Sequence, residues 1–406
     1  MHNTEENWPN GAMDGLKVVD LSRVLGGPYC TQILADHGAE VIKVEPPQGD
    51  ETRDMGPPFH EGDSSYFIGI NRNKRSIGLD LSNIEGRSTL LRLLEDADVL
   101  LENFKTGTME KWGIGYEDTI SKLFPNLIYC RISGFGSDGP LGGLPGYDGV
   151  IQAMAGWMSV NGGSDKDPTR LGLAAVDMGT GLYTCVAILM ALFERQGSRK
   201  GQFIDMTLFD CAVALMHPHI PNFYYSEGKI PDIYGNQHAN VAPYDKFTTK
   251  TVEVFIAALN NPAFRRLCTE LGQPDLANDP RFKTNPDRVA NISELSDKLS
   301  SLMVDIDGED LCQRLMLNGI AAGPVYNTAQ VVEHPHTSHR DMSVKLDWYQ
   351  GSGIPIKFSR TPGSIRSTPP RFSEHGREIL AQHGFNEDEI DSLAKNHVLV
   401  EERKKL

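Results

Sequence analysis

The sequence lacks the cysteine and charge patterns that mark several large classes of protein. Its six cysteines are scattered over 406 residues, and no two are spaced as Cys-x-x-Cys. This scatter argues against a disulfide framework or a cysteine zinc site and predicts reduced, buried thiols. Asp and Glu outnumber Lys and Arg by 54 to 39, which gives a formal charge of −15. Such an acidic chain is not expected to bind nucleic acid, which requires a basic surface.

Long apolar runs and targeting segments are also missing. The longest apolar run, residues 183–193, is too short to cross a bilayer. Residues 1–7 are polar and acidic, without the basic start and apolar centre of a secretion signal. We therefore expect a soluble, cytoplasmic protein with no membrane partner.

Common catalytic motifs are absent as well. The chain has no Walker A loop and no Gly-x-Ser-x-Gly elbow, and its first Gly/Pro turn, residues 23–28, lacks the dinucleotide-binding fingerprint. Three histidines lie within residues 334–339, but no carboxylate pair or cysteine is near them. We therefore predict no metal site.

The chain does contain an alternation of strand and helix patterns. Residues 16–21 and 40–45 are typical of short strands, and the turn at 23–28 and a helical pattern at 29–37 separate them. This order predicts a right-handed crossover within a parallel sheet. Further strands are predicted at 76–81, 98–102, 127–132 and 201–207. We therefore predict an α/β fold with a Rossmann-like layout.

Three loops follow strands of this predicted sheet, at residues 24–28, 103–107 and 133–140. In open parallel sheets, ligands bind beyond the carboxyl ends of the strands. We expect a ligand at these loops.

The length of the chain predicts two domains. Composition shifts at residues 217–243, which are rich in Pro, Tyr, His and Asn. The predicted layout is a large Rossmann-like domain at 15–225, a smaller α+β domain at 226–328, and a return to the large domain with C-terminal helices at 329–406.

Asp177 stands out because an apolar run leads to it and a long apolar helix pattern follows. At a helix N-terminus, free N–H groups and the helix dipole favour an ionised carboxylate. Locally the pattern favours a helix cap, with a nucleophile in a dry site as the alternative. If Asp148 lies nearby, the two carboxyl groups are expected to differ in pKa. The basic cluster at 71–75 is either a solvated turn or a phosphate anchor.

Taken in order, these segments resemble the class III CoA-transferases over nearly the whole chain. The segments that carry the resemblance are 16–28, 38–45, 71–76, 102–104, 146–148 and 175–181. The resemblance implies an interlocked homodimer and makes Asp177 the catalytic aspartate. It places Asp148 beside the active site. The CoA contacts that it implies are Val24, Leu25, Pro46, Leu79, Asn103, Phe104 and Lys111.

The resemblance also implies the chemistry. The substrates are CoA thioesters and carboxylic acids, with no tightly bound cofactor and no metal, and the reaction passes through an aspartyl anhydride and an aspartyl-CoA thioester. Residues 234–238 stand where formyl-CoA transferases have a Gly-rich loop, which argues against formate or oxalate. Segments 71–77 and 282–285 are closer to succinyl-CoA:dicarboxylate transferases, including the glutarate type.

The sequence leaves two alternatives to a CoA-transferase open. One is an isomerase similar to the α-methylacyl-CoA racemases, in which a histidine stands where this chain has Tyr147. The other is a CoA-binding protein without catalytic activity. The sequence does not identify the donor, the acceptor or the cation that would bind a second carboxylate of the acceptor.

Overall fold

A computed structural model describes residues 11–163 and 165–404, which divide into two compact units. The first unit consists of residues 11–155, 173–215 and 335–404. The second consists of residues 156–163, 165–172 and 216–334. The predicted domain boundaries therefore differ from the structure: residues 156–172 were assigned to the large domain, and the later crossings were placed at 226 and 329. Residues 156–172 join the second unit through contacts such as the ion pair of Lys166 with Asp232. The polar stretch at 1–7 lies outside the described residues.

The strands are short and alternate with helices in the first half of the chain. In chain order the strands are β1 Lys17–Asp20, β2 Glu40–Glu45, β3 Phe59–His60, β4 Asp63–Ser64, β5 Arg75–Gly78, β6 Val99–Glu102, β7 Ile128–Ser133, β8 Phe203–Thr207, β9 Tyr244–Thr248, β10 Glu253–Ala257, β11 Ala321–Pro324, β12 Ser343–Leu346 and β13 Tyr349–Ser352. The helices are α1 Gly26–Asp36, α2 Ser65–Ile68, α3 Ile84–Leu93, α4 Thr108–Lys111, α5 Ser121–Leu123, α6 Asp148–Met154, α7 Ala175–Ser198, α8 Leu208–Ala214, α9 His219–Tyr225, α10 Asn261–Glu270, α11 Asn285–Ala290, α12 Ile292–Met303, α13 Gly308–Leu317, α14 Thr328–Glu333, α15 Pro335–His339, α16 Gly376–Gln382 and α17 Glu387–Lys395.

The first unit is built on a six-stranded sheet in the order β5-β2-β1-β6-β7-β8, and every pairing in it is parallel. This confirms the predicted α/β fold with a parallel sheet. Successive residues of a strand face opposite sides of a sheet. Val18 and Val41 belong to one buried apolar cluster, and Val19 and Ile42 belong to another. Both faces of the sheet are therefore covered, which explains why its strands are continuous apolar runs.

The strand order reverses at β1, because β2 lies on one side of it and β6 on the other. A reversal of this kind opens a crevice between the loops that follow the two strands, and ligands bind there in open α/β sheets. Here those loops begin at Leu21 and Asn103.

The second unit has its own core around an antiparallel sheet in the order β11-β10-β9. Strands β9 and β10 form an antiparallel hairpin, and helices α10, α12 and α13 accompany the sheet. This matches the predicted α+β character of the smaller domain. Each of these helices carries one apolar stripe along its length, and that stripe packs on the core of this unit.

Helix α7 is longer than the apolar run that predicted it. It spans 24 residues, and among the described residues it is the one helix long and apolar enough to cross a membrane by length and composition alone. The expectation that no segment reaches this length is therefore wrong. The reason is that residues 175–182, with two glycines, continue the helix before the apolar run. Helix α7 lies against α1, and 39% of its most apolar window is buried.

Gly181 sets how closely α7 approaches α1. A Cβ atom at Gly181 would lie 2.6 Å from the backbone oxygen of Gly26, closer than two such atoms can stand. We expect Gly181→Ala to lower the free energy of unfolding by about 1–3 kcal/mol, because the helices must move apart. Urea unfolding measures this change. The matched control is Gly197→Ala in the same helix. Apart from the adjacent residues and the nearby backbone of α7 itself, no atom of the described residues lies within 4 Å of the added Cβ. A control that is destabilised as much as Gly181→Ala would contradict this explanation.

Candidate active site

A side chain from another helix caps the N-terminus of α7. One carboxylate oxygen of Asp148, Oδ2, accepts hydrogen bonds from the backbone N–H groups of Val176 (2.8 Å) and Asp177 (3.2 Å). The other oxygen, Oδ1, accepts one from Nε2 of Gln152 at 2.6 Å. These are the N–H groups that a helix leaves without an internal partner. Asp148 is therefore the cap, and the Asp177 side chain does not serve that purpose.

The pKa of Asp177 is raised to about 7 by burial and, to a lesser extent, by the negative charge of Asp148. The expectation that the helix N-terminus keeps this carboxylate ionised is therefore wrong in direction. Burial disfavours the charged form of a carboxyl group, and a second carboxylate nearby has the same effect. A carboxyl group with a pKa near neutrality in a cavity is a frequent mark of a functional site.

Asp177 faces a cavity of about 320 Å³ at the carboxyl ends of β1, β6 and β7. The residues that line this cavity are 23–27, Glu51, 103–106, 132–134, 143–147, Asp177 and Leu208. Each of the three loops in which a ligand was expected contributes residues to the lining. All the lining residues belong to the first unit.

The predicted CoA contacts divide into two groups. Val24, Leu25, Asn103 and Phe104 line the cavity together with Asp177. Pro46, Leu79 and Lys111 do not line it. Leu79 is fully buried beyond the end of β5, where its N–H donates to Glu45, and Lys111 is exposed at the end of α4. All seven CoA-contact assignments stay predictions.

The N-terminus of α1 also faces the cavity. Leu25, Gly26 and Gly27 belong to the lining, and no side chain of the described residues caps this helix. Gly26 packs closely on α7, since a Cβ atom there would lie 3.2 Å from the backbone oxygen of Asp177. Two helix N-termini therefore meet beside the Asp177 carboxyl group. Uncapped N–H groups and the positive end of a helix dipole stabilise negative charge.

The basic cluster at 71–75 is neither a solvated turn nor an exposed phosphate anchor. Arg72 forms a buried ion pair with Asp36 at 2.7 Å. Lys74 lies 3.4 Å from the carboxylate of Asp20 and donates to the carbonyl of Pro28. These cations fix the beginning and end of helix α1 within the first unit.

Two site residues were not predicted. Tyr66, on α2, interacts electrostatically with Asp177, Asp148 and Asp50, and burial together with these carboxylates raises its pKa to about 12. Its phenol therefore keeps its proton and is a hydrogen-bond donor at neutral pH. Glu102, at the end of β6, accepts the N–H of Phe104 at 2.7 Å. Burial raises the pKa of Glu102 to about 7. The sequence signals for Glu102 were its place at a strand end and in segment 102–104 of the resemblance, and no signal marked Tyr66.

Other predicted features lie apart from the cavity. All six cysteines are buried and free, as expected. The rings of His336 and His339 are 6.0 Å apart. Within residues 11–163 and 165–404, no group of three side chains of metal-binding type comes together.

The fold and the cavity thus define an α/β protein in which a partly buried carboxyl group of raised pKa lies at the switch point of a parallel sheet. The model of CoA-transferase family III matches residues 13–376. The chain belongs to this family and is a CoA-transferase.

Individual relatives cover almost all of the chain. The succinate–glutarate CoA-transferase of Agrobacterium fabrum is 38% identical over 91% of this chain and 95% of its own length. The acetyl-CoA:oxalate CoA-transferase of Acetobacter aceti is 39% identical over 93% and 97%. The crystal structure of a CAIB/BAIF family protein from Brucella suis is 42% identical, with a TM-score of 0.83 over 92% of this chain and all of that one.

Proposed function

We propose that the protein moves CoA from succinyl-CoA to a dicarboxylic acid, with the Asp177 carboxylate as the nucleophile. The observation that carries this proposal is the position of Asp177: its partly buried carboxyl group faces the switch-point cavity, while Asp148 caps the helix. A nucleophile must be free of structural hydrogen bonds that would have to break before attack, and this division of tasks leaves Asp177 available.

Each covalent step can be written for Asp177. Its carboxylate attacks the thioester carbonyl carbon, the C–S bond breaks, and CoA leaves as a thiolate from an acyl-aspartyl anhydride. The thiolate then attacks the aspartyl carbonyl, which releases the donor acid and forms an aspartyl-CoA thioester. The carboxylate of the acceptor acid attacks that thioester, and the released thiolate takes the acceptor acyl group from the second anhydride. Asp177 is regenerated, and the thioester bond is conserved throughout.

The surroundings of Asp177 suit these steps. Every attack creates an oxyanion, and the uncapped N–H groups at the start of α1, at Gly26 and Gly27, are available donors in the cavity wall. Tyr66 keeps its phenol proton at neutral pH and interacts electrostatically with Asp177. Apolar lining from Leu25, Ile132 and Leu208 keeps water away from an anhydride that water would hydrolyse.

The choice of substrates rests on relatives and on charge. Relatives named for glutarate and for oxalate are similar to this chain to almost the same degree, and both acceptors are dicarboxylates. Two cationic side chains line the cavity, Arg23 and Lys105. Arg23 is paired with Glu51 at 3.1 Å, so Lys105 is the better candidate for the second carboxylate of an acceptor.

A homodimer is part of the proposal. One side of α7 carries exposed apolar side chains, among them Leu182 (50% exposed), Met190 (67%) and Phe193 (77%). A continuous apolar face of this kind usually marks a protein–protein interface. A second copy of the chain is the partner that the family predicts. The cytoplasmic location stays a prediction.

Trapping tests the covalent mechanism. The protein is incubated with succinyl-CoA and hydroxylamine, which converts an aspartyl anhydride or thioester into a hydroxamate, and the peptide that contains residue 177 is analysed by mass spectrometry. We expect the hydroxamate at Asp177 and nowhere else. Full transfer activity in Asp177→Ala would contradict the mechanism.

Racemisation of a 2-methylacyl-CoA without any acceptor acid would favour the isomerase. A panel of mono- and dicarboxylic acids with succinyl-CoA and acetyl-CoA then identifies the substrates.

A further inference from the structure

The loop of residues 22–25 joins β1 to α1 and forms one wall of the cavity. Two side chains, one on β2 and one after it, bind the backbone of this loop. Nζ of Lys43 donates to the carbonyl of Ser22 at 2.9 Å, and Oδ1 of Asp50 accepts the N–H of Val24 at 3.3 Å. Nζ of Lys43 also lies 2.9 Å from Oδ2 of Asp50, and both side chains are fully buried. The two side chains therefore hold the loop as one ion pair.

A third side chain holds the residue between these two points. The amide of Asn103 accepts the N–H of Arg23 at 2.9 Å and donates to its carbonyl at 2.8 Å. Asn103 belongs to the loop after β6, on the other side of the crevice. The backbone groups of three consecutive residues, 22–24, are thus bound by side chains of strand β2, of the segment after β2 and of the loop after β6. This is a far denser set of bonds than a surface loop needs for its own stability.

The backbone at Val24 explains why the loop needs such support. Val24 has φ +70, in the left-handed region. That region is unfavourable for a residue with a side chain, and for a β-branched one it is a genuine outlier. Strained residues persist only where the surrounding structure holds them, and they gather at functional sites. Val24 and the next residue, Leu25, both line the cavity that contains Asp177.

The positive charge of Lys43 under the loop is permanent. Burial alone would lower the pKa of Lys43, but the carboxylates of Asp50 and Asp20 raise it above its ordinary value. The ammonium group of Lys43 therefore stays charged, and it lies within ion-pair distance of Asp50. A buried ion pair adds little net stability but fixes geometry, and loss of one partner leaves an unpaired charge.

We propose that Asp50, paired with Lys43, is a positioning residue that holds Val24 in its left-handed conformation and thereby sets the cavity wall for the acyl-CoA substrate. The inference rests on the proposed function only for its kinetic readout. Asp50 does not touch Asp177; it acts through the 22–25 loop. Asp50 also caps the short turn Glu51–Asp54 by accepting the N–H of Thr52 at 3.0 Å. A purely structural role is therefore the competing explanation, and the test must separate the two.

A double-mutant cycle between Asp50 and residue 24 makes this separation. Glycine adopts positive φ without strain. In the Val24→Gly background, the loop should no longer depend on Asp50. We expect Asp50→Asn to raise the KM for succinyl-CoA by about tenfold in the parent chain but by no more than about twofold in the Val24→Gly background. A purely structural role of Asp50 predicts the same effect in both backgrounds, and that result would overturn the proposal.

Amide hydrogen exchange provides a readout that does not depend on activity. In Asp50→Asn, we expect the Val24 amide to exchange at least about tenfold faster than in the parent chain, because its acceptor is perturbed and the strain is released. The Arg23 amide, bound by Asn103, should change much less. Unchanged protection at Val24 would overturn the proposal even if the protein transfers no CoA. Absence of transfer in the parent chain would instead refute the proposed function.

The matched control is Asp63→Asn. Asp63 pairs with the buried Arg53 at 2.7 Å, in the same part of the first unit, and within the described residues it makes no bond to the 22–25 loop. Its loss also leaves a buried cation with one carboxylate fewer. We expect its KM and its Val24 exchange to match those of the parent chain. If Asp63→Asn reproduces the effects of Asp50→Asn, general destabilisation is the cause and the proposal is wrong.

Discussion

Replacement of Asp177 by asparagine is expected to slow CoA transfer by at least about a thousandfold. The amide has nearly the shape of the carboxylic acid but cannot form an anhydride with the donor acyl group. Asp177 is the only carboxyl group among the lining residues apart from Glu51, which is paired with Arg23. No neighbour in the described lining is therefore placed to take over the attack. Transfer of CoA from succinyl-CoA to glutarate, followed by chromatography of the CoA esters, measures the loss.

Asp205→Asn is the matched control for this variant. Asp205 lies on β8, and burial raises its pKa too, but it does not line the cavity. We expect its transfer rate to match that of the parent chain. Equal losses in the two variants would show that the removal of a carboxyl group lowers transfer whether or not that group lines the cavity. Activity retained by Asp177→Asn would refute the assignment of Asp177 as the nucleophile.

The stability of Asp177→Asn gives an independent check on the pKa of about 7. The folded-state pKa lies above the ordinary value of 3.8, so the folded protein binds more protons than the unfolded chain between those values. Stability due to this group therefore falls as the pH rises from about 4 to about 7. Asparagine removes the penalty, so the variant should be more stable than the parent by up to about 4 kcal/mol at pH 8. At pH 4 or below, the difference should vanish.

Much of the fold followed from local patterns. Strand β2 was predicted with its observed bounds. A glycine shortly before it and two prolines directly after it mark its ends. The parallel sheet followed from the alternation of strands and helices, because each crossover must return over a face of the sheet. The domain boundaries did not follow, since residues 156–172 carry no signal for the unit with which they pack.

The site was less predictable because its parts are distant in the sequence. Asp177 was identified, and the resemblance placed Asp148 beside the active site. No local pattern showed that Asp148 caps a helix that begins almost 30 residues later. The basic cluster is paired with two carboxylates that lie more than 30 residues before it, Asp20 and Asp36. A local pattern shows that a charge is present, but burial and partners depend on tertiary structure. The predicted direction of the Asp177 pKa shift was wrong for this reason.

Asp148 should control both the start of α7 and the acidity of Asp177, and two substitutions separate these effects. In Asp148→Asn, the carbonyl oxygen can still accept the N–H groups of Val176 and Asp177, while Gln152 can turn its own carbonyl toward the new amide. The charge is lost and the cap is kept. Asp148→Ala loses both, so two buried N–H groups lose their acceptor, which costs about 1–3 kcal/mol.

The pH dependence of transfer distinguishes these two substitutions. The parent rate should rise with pH and level off above about 7, because the nucleophile must be ionised. In Asp148→Asn, burial still raises the pKa of Asp177 but the negative neighbour no longer does, so the midpoint should move to lower pH. Transfer at pH 6 should then be a larger fraction of its plateau than in the parent chain.

Asp148→Ala should instead lose transfer at every pH, by about tenfold or more, since residues 175–177 lose the hydrogen bonds that orient the nucleophile. Thermal unfolding should also occur at a lower temperature than in Asp148→Asn. A midpoint that stays in place in Asp148→Asn would show that the charge of Asp148 does not reach Asp177. A midpoint that moves to higher pH would mean that the charge acts through Tyr66 or another donor, because direct repulsion between two carboxylates can only raise the pKa of Asp177 in the parent chain.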